Sequence, residues 1–346
     1  MKQPFFSIII PTYNRVKLLK AAIEIALSQR FKDFEIIVVD DKSTDDTRNM
    51  IQKINDKRIK YYRNEENLGA EKNMIKSFSY PRGKYIFTIG DDDFILFPDT
   101  LLNIKKIIEK QNLGFIRLNL IEKKFIGNGL RKSIINTEKD IYIKPNRDSE
   151  AILNFFGKVA VGHYAGLVIK NYKNISDDMI NCRETEWIKI IFKNTKKYGA
   201  LFLSKEYMII TWSQAGILTH YDVPNTNKLM FENYTDYIFT LIPENFLSVY
   251  KHNFYKKFVL LQPVIKLYSG NNNLRKFNNR LFELDNSLKN NLLLKLFYII
   301  AIVFPKKFWN FIRIIQHKSK NYLNNLENLN EIYERYTYLN NKYNFT

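Results

Sequence analysis

Short apolar runs alternate with amphipathic segments over the first third of the chain. Four runs have the length and composition of buried strands, at residues 6–10, 34–40, 59–63 and 84–89. Three intervening segments place apolar residues at the spacing of one helical face, at residues 16–29, 45–54 and 70–78. Strands that alternate with helices predict an α/β fold, with a Rossmann-like, mainly parallel sheet and helices on both faces.

The pattern loosens after Pro98. We expect helices at 100–110 and 184–196 and extended chain at 114–122, 161–170, 200–203 and 208–212. Residues 127–148 are polar and fit neither period, and from about residue 225 the chain is mostly helical in pattern. The predicted fold is therefore an α/β domain followed by a helical C-terminal extension.

The C-terminal extension contains an apolar run at residues 292–304, which is too short to cross a bilayer as a helix of about 20 residues. Residues 308–315, which follow Lys306 and Lys307, then interleave aromatic and aliphatic side chains with Arg313, a composition that suits a membrane interface. The alternative is a pair of helices packed on the α/β domain.

Composition adds a cellular context. A hydrophobic content of 45% is ordinary for a packed core, and the single cysteine, Cys182, excludes an internal disulfide and a cysteine-cluster metal site. The first ten residues lead into a strand-like run and Pro11, which is unlike a secretory signal. We expect a cytoplasmic protein.

The net charge of +19 favours anionic partners, such as phosphorylated substrates, acidic lipid headgroups or nucleic acid. An AT-rich coding sequence would also enrich Lys and Asn without any binding purpose. The charge alone does not distinguish these origins.

Acidic residues follow the fourth predicted strand, in the segment Gly90-Asp91-Asp92-Asp93. Ligands of open α/β sheets bind outside the carboxyl ends of the strands. Adjacent carboxylates repel one another, and a hard cation such as Mg²⁺ or Mn²⁺ offsets that repulsion. The alternative is a solvated acidic turn.

Two other strand ends are also polar: Asp40-Asp41 follows the second strand, and Pro11-Thr12-Tyr13-Asn14-Arg15 follows the first. Together the three ends describe a nucleotide site, in which Tyr13 packs on the base and Asp40 or Asp41 accepts hydrogen bonds. Asp40 and Asp41 also fit a helix-capping turn, a role that can coexist with binding.

These segments, with Asn67-Leu68-Gly69, resemble family-two glycosyltransferases over about the first 100 residues. The resemblance implies a nucleotide-diphospho-sugar-binding fold, a metal-binding aspartate motif and an inverting single displacement. It implies nucleoside contacts for Pro11, Thr12, Tyr13 and Arg15 and for Asp40 and Asp41. It further implies metal binding by Asp93, with Asp91 or Asp92 facing the ribose and phosphates. Lys72 or Asn73 takes the place of an arginine that many members carry after the Asn-x-Gly element.

An inverting transfer needs a base to deprotonate the acceptor hydroxyl. The segment Glu184-Thr185-Glu186-Trp187 is the nearest equivalent of the family's Glu-Asp pair, and one of the two glutamates is the candidate. Trp187 favours Glu186 because its indole could form a sugar-stacking wall, although Trp187 could equally face the core. His220 is a candidate metal or diphosphate ligand and His163 a candidate acceptor contact; either could instead be structural.

We expect a glycosyltransferase domain at 1–224 and a helical region at 225–346 that could associate with membrane. The domain itself comprises a nucleotide-binding half at 1–100 and an acceptor-binding half at 101–224. The implied enzyme uses Mn²⁺ or Mg²⁺ to move a sugar from a nucleotide-sugar, a UDP-sugar being favoured, to a glycan or lipid-linked acceptor. Its place would be the inner face of the cytoplasmic membrane, in surface polysaccharide synthesis.

Two other classes of protein account for parts of the sequence. A nucleotidyltransferase acting on sugar phosphates would carry a glycine-rich loop after the first strand, which residues 11–15 lack. A basic, non-catalytic nucleic-acid-binding protein would explain the charge, but an aspartate-lined crevice argues against specific nucleic-acid binding.

Overall fold

The computed structural model describes residues 2–123, 130–131, 139–159, 161–179, 187–210, 274–275, 278–283, 285–303, 305 and 329–343. The chain forms two compact units. The first unit contains residues 1–211 and 322–346, and the second contains residues 212–321. The sequence pattern grouped 225–346 as one region, whereas the last 25 residues cluster with the first unit.

The N-terminal part of the first unit alternates strands and helices. Its elements are β1 (Phe6–Thr12), α1 (Val16–Leu27), β2 (Phe34–Asp40), α2 (Thr47–Gln52), β3 (Ile59–Arg63), α3 (Ala70–Ser77) and β4 (Tyr85–Thr88). The strands pair in the order β3-β2-β1-β4 and all run parallel. Right-handed crossovers place α1 and α2 on one face of this sheet and α3 on the other.

The remaining strands extend the same sheet. The elements are β5 (Phe94–Ile95), α4 (Thr100–Lys110), β6 (Phe115–Lys123), β7 (Leu130–Arg131), β8 (Ile141–Ile143), α5 (Ser149–Val159), β9 (Leu167–Lys170), α6 (Ile188–Tyr198) and β10 (Ala200–Ile210). Beyond β4 the order continues β9-β6-β10-β5. Strand β9 is antiparallel to β4 and β6, while β10 is parallel to β6.

The predicted α/β fold is confirmed, with the antiparallel pairs confined to the second half of the sheet. Every residue of β2 is buried, and only Pro11 of β1 is partly exposed, which explains their unbroken apolar pattern. Strand β3 lies at the sheet edge and is only half-buried. The carboxyl ends of β1, β2 and β4 therefore meet along one edge, where the candidate residues lie.

The second half departs from the sequence prediction at several places, and strands β5, β7 and β8 lie where the pattern assigned no element. The two strands expected at 200–203 and 208–212 are one strand, β10, whose register shifts between Leu203 and Tyr207. Helix α5 lies in a stretch to which the pattern assigned no element. Strand β10 continues across its interruption because it pairs with β6 on both sides of the register shift. The buried residues of α5 recur at the spacing of one helical face, so its sequence pattern could have identified it.

Two helices represent the C-terminal extension among the elements described here: α7 (Leu292–Val303) in the second unit and α8 (Leu329–Tyr343) in the first. Helix α8 buries Ile332, Tyr336 and Leu339, which recur at the spacing of one helical face. Arg335 Nε donates a hydrogen bond to the Leu96 carbonyl at 3.0 Å. No helix within the described ranges is both long and apolar enough to span a bilayer.

Candidate functional site

Hydrogen bonds join the end of β1 to the aspartate triplet, Asp91 to Asp93, which follows β4. Thr12 Oγ1 donates to Asp91 Oδ2 at 2.7 Å. Arg15 Nη1 lies 2.9 Å from Asp91 Oδ1 and 3.0 Å from Asp92 Oδ2, so one guanidinium nitrogen bridges two carboxylates. The three aspartates are only 5–9% exposed, which excludes the solvated turn.

Burial and charge oppose each other in this cluster. Burial raises the pKa of Asp91, and Arg15 and Thr12 act against that rise by favouring the carboxylate. Burial also disfavours the charged form of Arg15, but Asp91 and Asp92 outweigh this effect and raise the pKa of the guanidinium. Arg15 is therefore the cation that compensates the buried acids.

The turn after β4 folds the Asp93 carboxylate back over Gly90. The Asp93 N–H donates to the Gly90 carbonyl at 3.3 Å. A Cβ at position 90 would lie 2.5 Å from Asp93 Oδ2 and 3.1 Å from Asp92 Oδ1. Glycine thus leaves room for the carboxylates of the triplet.

A second buried cation, Arg117 of β6, was missed by the sequence interpretation. Its side chain is completely buried, Nε donates to the Val159 carbonyl at 3.2 Å and Nη1 donates to the Ala165 carbonyl. Burial lowers the pKa of Arg117 to about 9, and the negative charge of Asp93 opposes the change. An arginine inside the apolar run Phe115-Ile116-Arg117-Leu118 is the sequence signal that could have identified it.

Asp41 at the end of β2 holds the loop that precedes α3. Its Oδ1 accepts hydrogen bonds from Asn64 Nδ2 at 2.7 Å and from the Leu68 N–H at 2.8 Å. Its Oδ2 accepts from the Gly69 N–H at 2.9 Å. Asp41 is 2% exposed, and these contacts hold the Asn67-Leu68-Gly69 segment against the end of β2.

Asp40 is completely buried and binds groups of its own unit. Its Oδ1 accepts from the Ser43 N–H at 2.8 Å, but helix α2 begins only at Thr47, so this turn is not the helix cap expected as one alternative. Its Oδ2 accepts from the Tyr61 hydroxyl and lies 3.5 Å from Arg63 Nε. Burial, with Asp40 adding to it, raises the pKa of Tyr61, so this phenol keeps its proton and remains a donor.

The two candidates on α3 differ in exposure. Asn73 is 2% exposed, donates to the Val39 carbonyl at 3.0 Å and accepts from Asn64 at 2.9 Å. Lys72 is exposed. Lys72 is therefore available to a ligand, whereas Asn73 connects α3 to β2.

The loops after β1 and β2 interlock at Asn14. Asn14 adopts a left-handed conformation, with φ of 53°. Its Oδ1 accepts from the backbone N–H groups of Thr44 at 2.7 Å and Asp45 at 3.3 Å. Asp45 in turn accepts from the Val16 N–H at 3.0 Å at the start of α1. Tyr13, which lies between Thr12 and the anchored Asn14, is 45% exposed.

The acceptor-side candidates divide between described and undescribed residues. Trp187 is 2% exposed, donates from Nε1 to the Val161 carbonyl at 2.7 Å and packs edge-on against Tyr164. It therefore faces the core and presents no open wall to a sugar. His163 is half-buried, and its Nδ1 accepts from the Ala165 N–H at 3.2 Å. Glu184, Glu186 and His220 lie outside the described residues.

Asp178 ties together the two segments that flank residues 180–186. It ends a short 3-10 helix, Ile175–Asp178, and its Oδ1 lies 3.1 Å from Lys189 Nζ and 2.6 Å from Lys193 Nζ on α6. The Tyr172 hydroxyl donates to Oδ2 at 2.8 Å. Burial alone would raise the pKa of Asp178, but these donors lower it to about 2.

The aspartate triplet offers hard oxygen donors, which suit Mg²⁺ or Mn²⁺. In the described part of the chain, no three His, Cys, Asp or Glu side chains converge into a ready-made metal site. Mg²⁺ commonly takes one or two carboxylates and completes its coordination with substrate phosphates and water. The donor set therefore fits a cation shared with a phosphate ligand.

Comparison with known proteins agrees with this geometry. Residues 7–168 match the model of "Glycosyl transferase family 2". A GalNAc(5)-diNAcBac-PP-undecaprenol beta-1,3-glucosyltransferase of Campylobacter jejuni is 28% identical over 73% of this chain and 79% of its own length. The Escherichia coli enzyme WfaP, a UDP-Glc:alpha-D-GlcNAc-diphosphoundecaprenol beta-1,3-glucosyltransferase, is 37% identical over 37% of this chain, which spans about half (51%) of that enzyme.

A solved structure has a similar fold. The mannosyltransferase PcManGT of Pyrobaculum calidifontis, in complex with GDP-Man and Mn2+, superimposes with a TM-score of 0.50 at 16% identity. The match covers 92% of this chain and 87% of that one. Residues 7–168 are therefore similar to glycosyl transferase family 2, and the relatives that the chain matches are named as glycosyltransferases.

Proposed function

We propose that this protein transfers a sugar from a nucleotide-linked donor to a glycan or lipid-linked acceptor. A UDP-sugar is the favoured donor. The observation that carries the proposal is the bridge from Thr12 and Arg15 to the buried Asp91 and Asp92, within the residues that match family two. Both relatives are named as beta-1,3-glucosyltransferases with diphosphoundecaprenol-linked acceptors. The name of WfaP also gives UDP-glucose as its donor.

In this proposal the donor binds at the carboxyl ends of β1, β2 and β4. The exposed ring of Tyr13 packs on the base, and the loop that Asp41 anchors borders the nucleoside. Arg15 pairs with Asp91 and Asp92, and Lys72 is exposed and can approach the diphosphate. The relevant side chains are held by protein contacts before the donor arrives, which lowers the entropic cost of binding.

Asp93 is the proposed ligand of Mn²⁺ or Mg²⁺, with Asp91 and His220 as further candidates. Such an ion offsets the charge on the leaving nucleoside diphosphate. In the protein alone, the positive charge of the buried Arg117 interacts favourably with the negative charge of Asp93.

The proposed reaction is an inverting displacement. Glu186 or Glu184 takes the proton of the acceptor hydroxyl while its oxygen attacks the anomeric carbon and the bond to the diphosphate breaks. The acceptor's diphospho-lipid end would place the reaction at the inner face of the cytoplasmic membrane, during surface polysaccharide synthesis.

The test is transfer or hydrolysis of UDP-glucose, with and without Mn²⁺, by Asp93→Asn and by the control Asp99→Asn. Asp99 is a surface residue paired with Arg30, outside the triplet. We expect Asp93→Asn to lower kcat/KM by at least about 100-fold, because a catalytic metal contributes several kcal/mol. Full metal-dependent activity in Asp93→Asn would refute the site.

A further inference from the structure

Helix α7 carries a stripe of apolar side chains that face solvent. Leu292, Leu296, Ile299 and Val303 are 79%, 51%, 56% and 68% exposed. Among the residues that the structure describes, the strongly exposed large aliphatic side chains all lie on α7, and the other large exposed apolar residues are tyrosines. Contiguous exposed apolar surface of this kind marks an interaction site.

Helix geometry places this stripe on one side of α7. At 100° per residue, positions 292, 296, 299 and 303 fall within about 60° of arc and extend for roughly 16 Å. Leu294 and Ala301, which are completely buried, fall on the opposite side. The buried side anchors α7 within its unit, so the stripe is a second apolar face.

The charged residues in the stretch of sequence that contains α7 are all basic. Residues 286–318 contain no Asp or Glu. The basic residues in that range are Lys289, Lys295, Lys306, Lys307, Arg313 and Lys318. Lys289 and Lys295, which border the stripe, are both exposed. An apolar face in a stretch of sequence whose charged residues are all basic complements a surface that is apolar inside and anionic outside.

We propose that α7 lies flat on an anionic lipid bilayer, with its stripe among the acyl chains and its lysines at the headgroups. With 12 residues the helix is too short to span the hydrocarbon core. A second copy of this chain fits less well, because a symmetric contact through the stripe would bring like charges together. The proposal deepens the membrane location of the proposed function and rests on it only for its biological purpose.

The test is sedimentation of the full chain with vesicles of phosphatidylglycerol and phosphatidylcholine, or of phosphatidylcholine alone. The variant Leu292→Ser, Leu296→Ser, Ile299→Ser removes most of the stripe, and Tyr142→Ser is the control because Tyr142 is 48% exposed on β8. We expect the triple variant to lower partitioning into anionic vesicles by at least about 100-fold, from the lost apolar burial. Lys289→Gln with Lys295→Gln should lower it about fivefold per charge.

Hydrolysis of UDP-glucose in the absence of lipid is measured on the same samples, so that vesicle binding and catalysis fail separately. Unchanged hydrolysis with lost vesicle binding supports the proposal, as does a lysine variant that binds anionic vesicles more weakly. Equal partitioning of the wild type and the triple variant, or equal binding to both kinds of vesicle, overturns it. So does a wild-type dimer that dissociates in the triple variant by light scattering.

Discussion

Replacing Arg15 tests whether the buried aspartates depend on one cation. Arg15→Met keeps much of the side-chain volume and removes the charge that lies 2.9 Å from Asp91 and 3.0 Å from Asp92. Asp91 then retains the Thr12 hydrogen bond but no compensating cation among the contacts described above. We expect a less stable protein that binds UDP more weakly.

The magnitude follows from the distances and the exposure. Two unit charges about 3 Å apart attract by roughly 5–6 kcal/mol at an effective dielectric constant of 20, which is an upper bound. Breaking a buried ion pair from one side costs about 3–5 kcal/mol. One third (33%) of the Arg15 side chain is exposed, and solvent screening reduces the expected loss to about 2–3 kcal/mol.

The assay is urea unfolding at neutral pH, with UDP affinity measured by calorimetry. Arg30→Met is the matched control, because Arg30 pairs with Asp99 at 2.6 Å but is 69% exposed. Loss of that surface pair should cost about 0–1 kcal/mol. If Arg15→Met unfolds with the same free energy as Arg30→Met and binds UDP normally, Arg15 does not compensate the triplet.

Two further variants test contacts outside the aspartate triplet, at Asp178 and at Arg335. Asp178→Asn should lower the free energy of unfolding by about 1 kcal/mol at neutral pH, after allowance for solvent screening. The folded pKa of Asp178, about 2, lies below its ordinary value of 3.8. The stabilisation is therefore present above about pH 4 and is lost as the pH falls towards 2. Urea titrations of the wild type and the variant at several pH values measure the range over which it is lost. Arg335→Met removes the hydrogen bond to the Leu96 carbonyl and should cost about 1 kcal/mol, with faster hydrogen exchange in α8.

For each of these two variants, one outcome would contradict the expected result. A cost for Asp178→Asn that stays constant from pH 7 to about pH 3 would show that the lysine contacts do not shift the titration. Unchanged exchange in α8 after Arg335→Met would show that its apolar face alone attaches the helix to the first unit.

Local periodicity was sufficient for the parallel half of the fold. Strands β2 and β3 and helix α4 have the boundaries that the sequence predicted, because strong apolar patterns end at polar residues. Strand β10 was predicted as two pieces because Ser204-Lys205-Glu206 interrupts its apolar run. The interruption is stabilised by distant partners: Ser204 binds Asp140, and Glu206 accepts from Thr100 at 2.7 Å. Such partners cannot be inferred from local sequence.

The same limit applies to the site. The order of strands brought Thr12, Arg15 and the aspartate triplet together as expected for neighbouring strand ends. The sequence did not reveal that Asn73 is enclosed by Asn64 and Val39, or that Trp187 is buried. Residue type suggests what a side chain can bind, whereas its exposure depends on packing between segments far apart in the chain.

Helix α8 has a consequence for the order in which the protein is made. The first unit includes residues 322–346, and residues 212–321 are synthesised before them. At about 5–20 residues per second, the ribosome needs roughly 5–20 s to cross that interval. Throughout it, the Leu96 carbonyl beside the aspartate triplet has no Arg335 to bind. The first unit is therefore completed last, although most of its sequence emerges first.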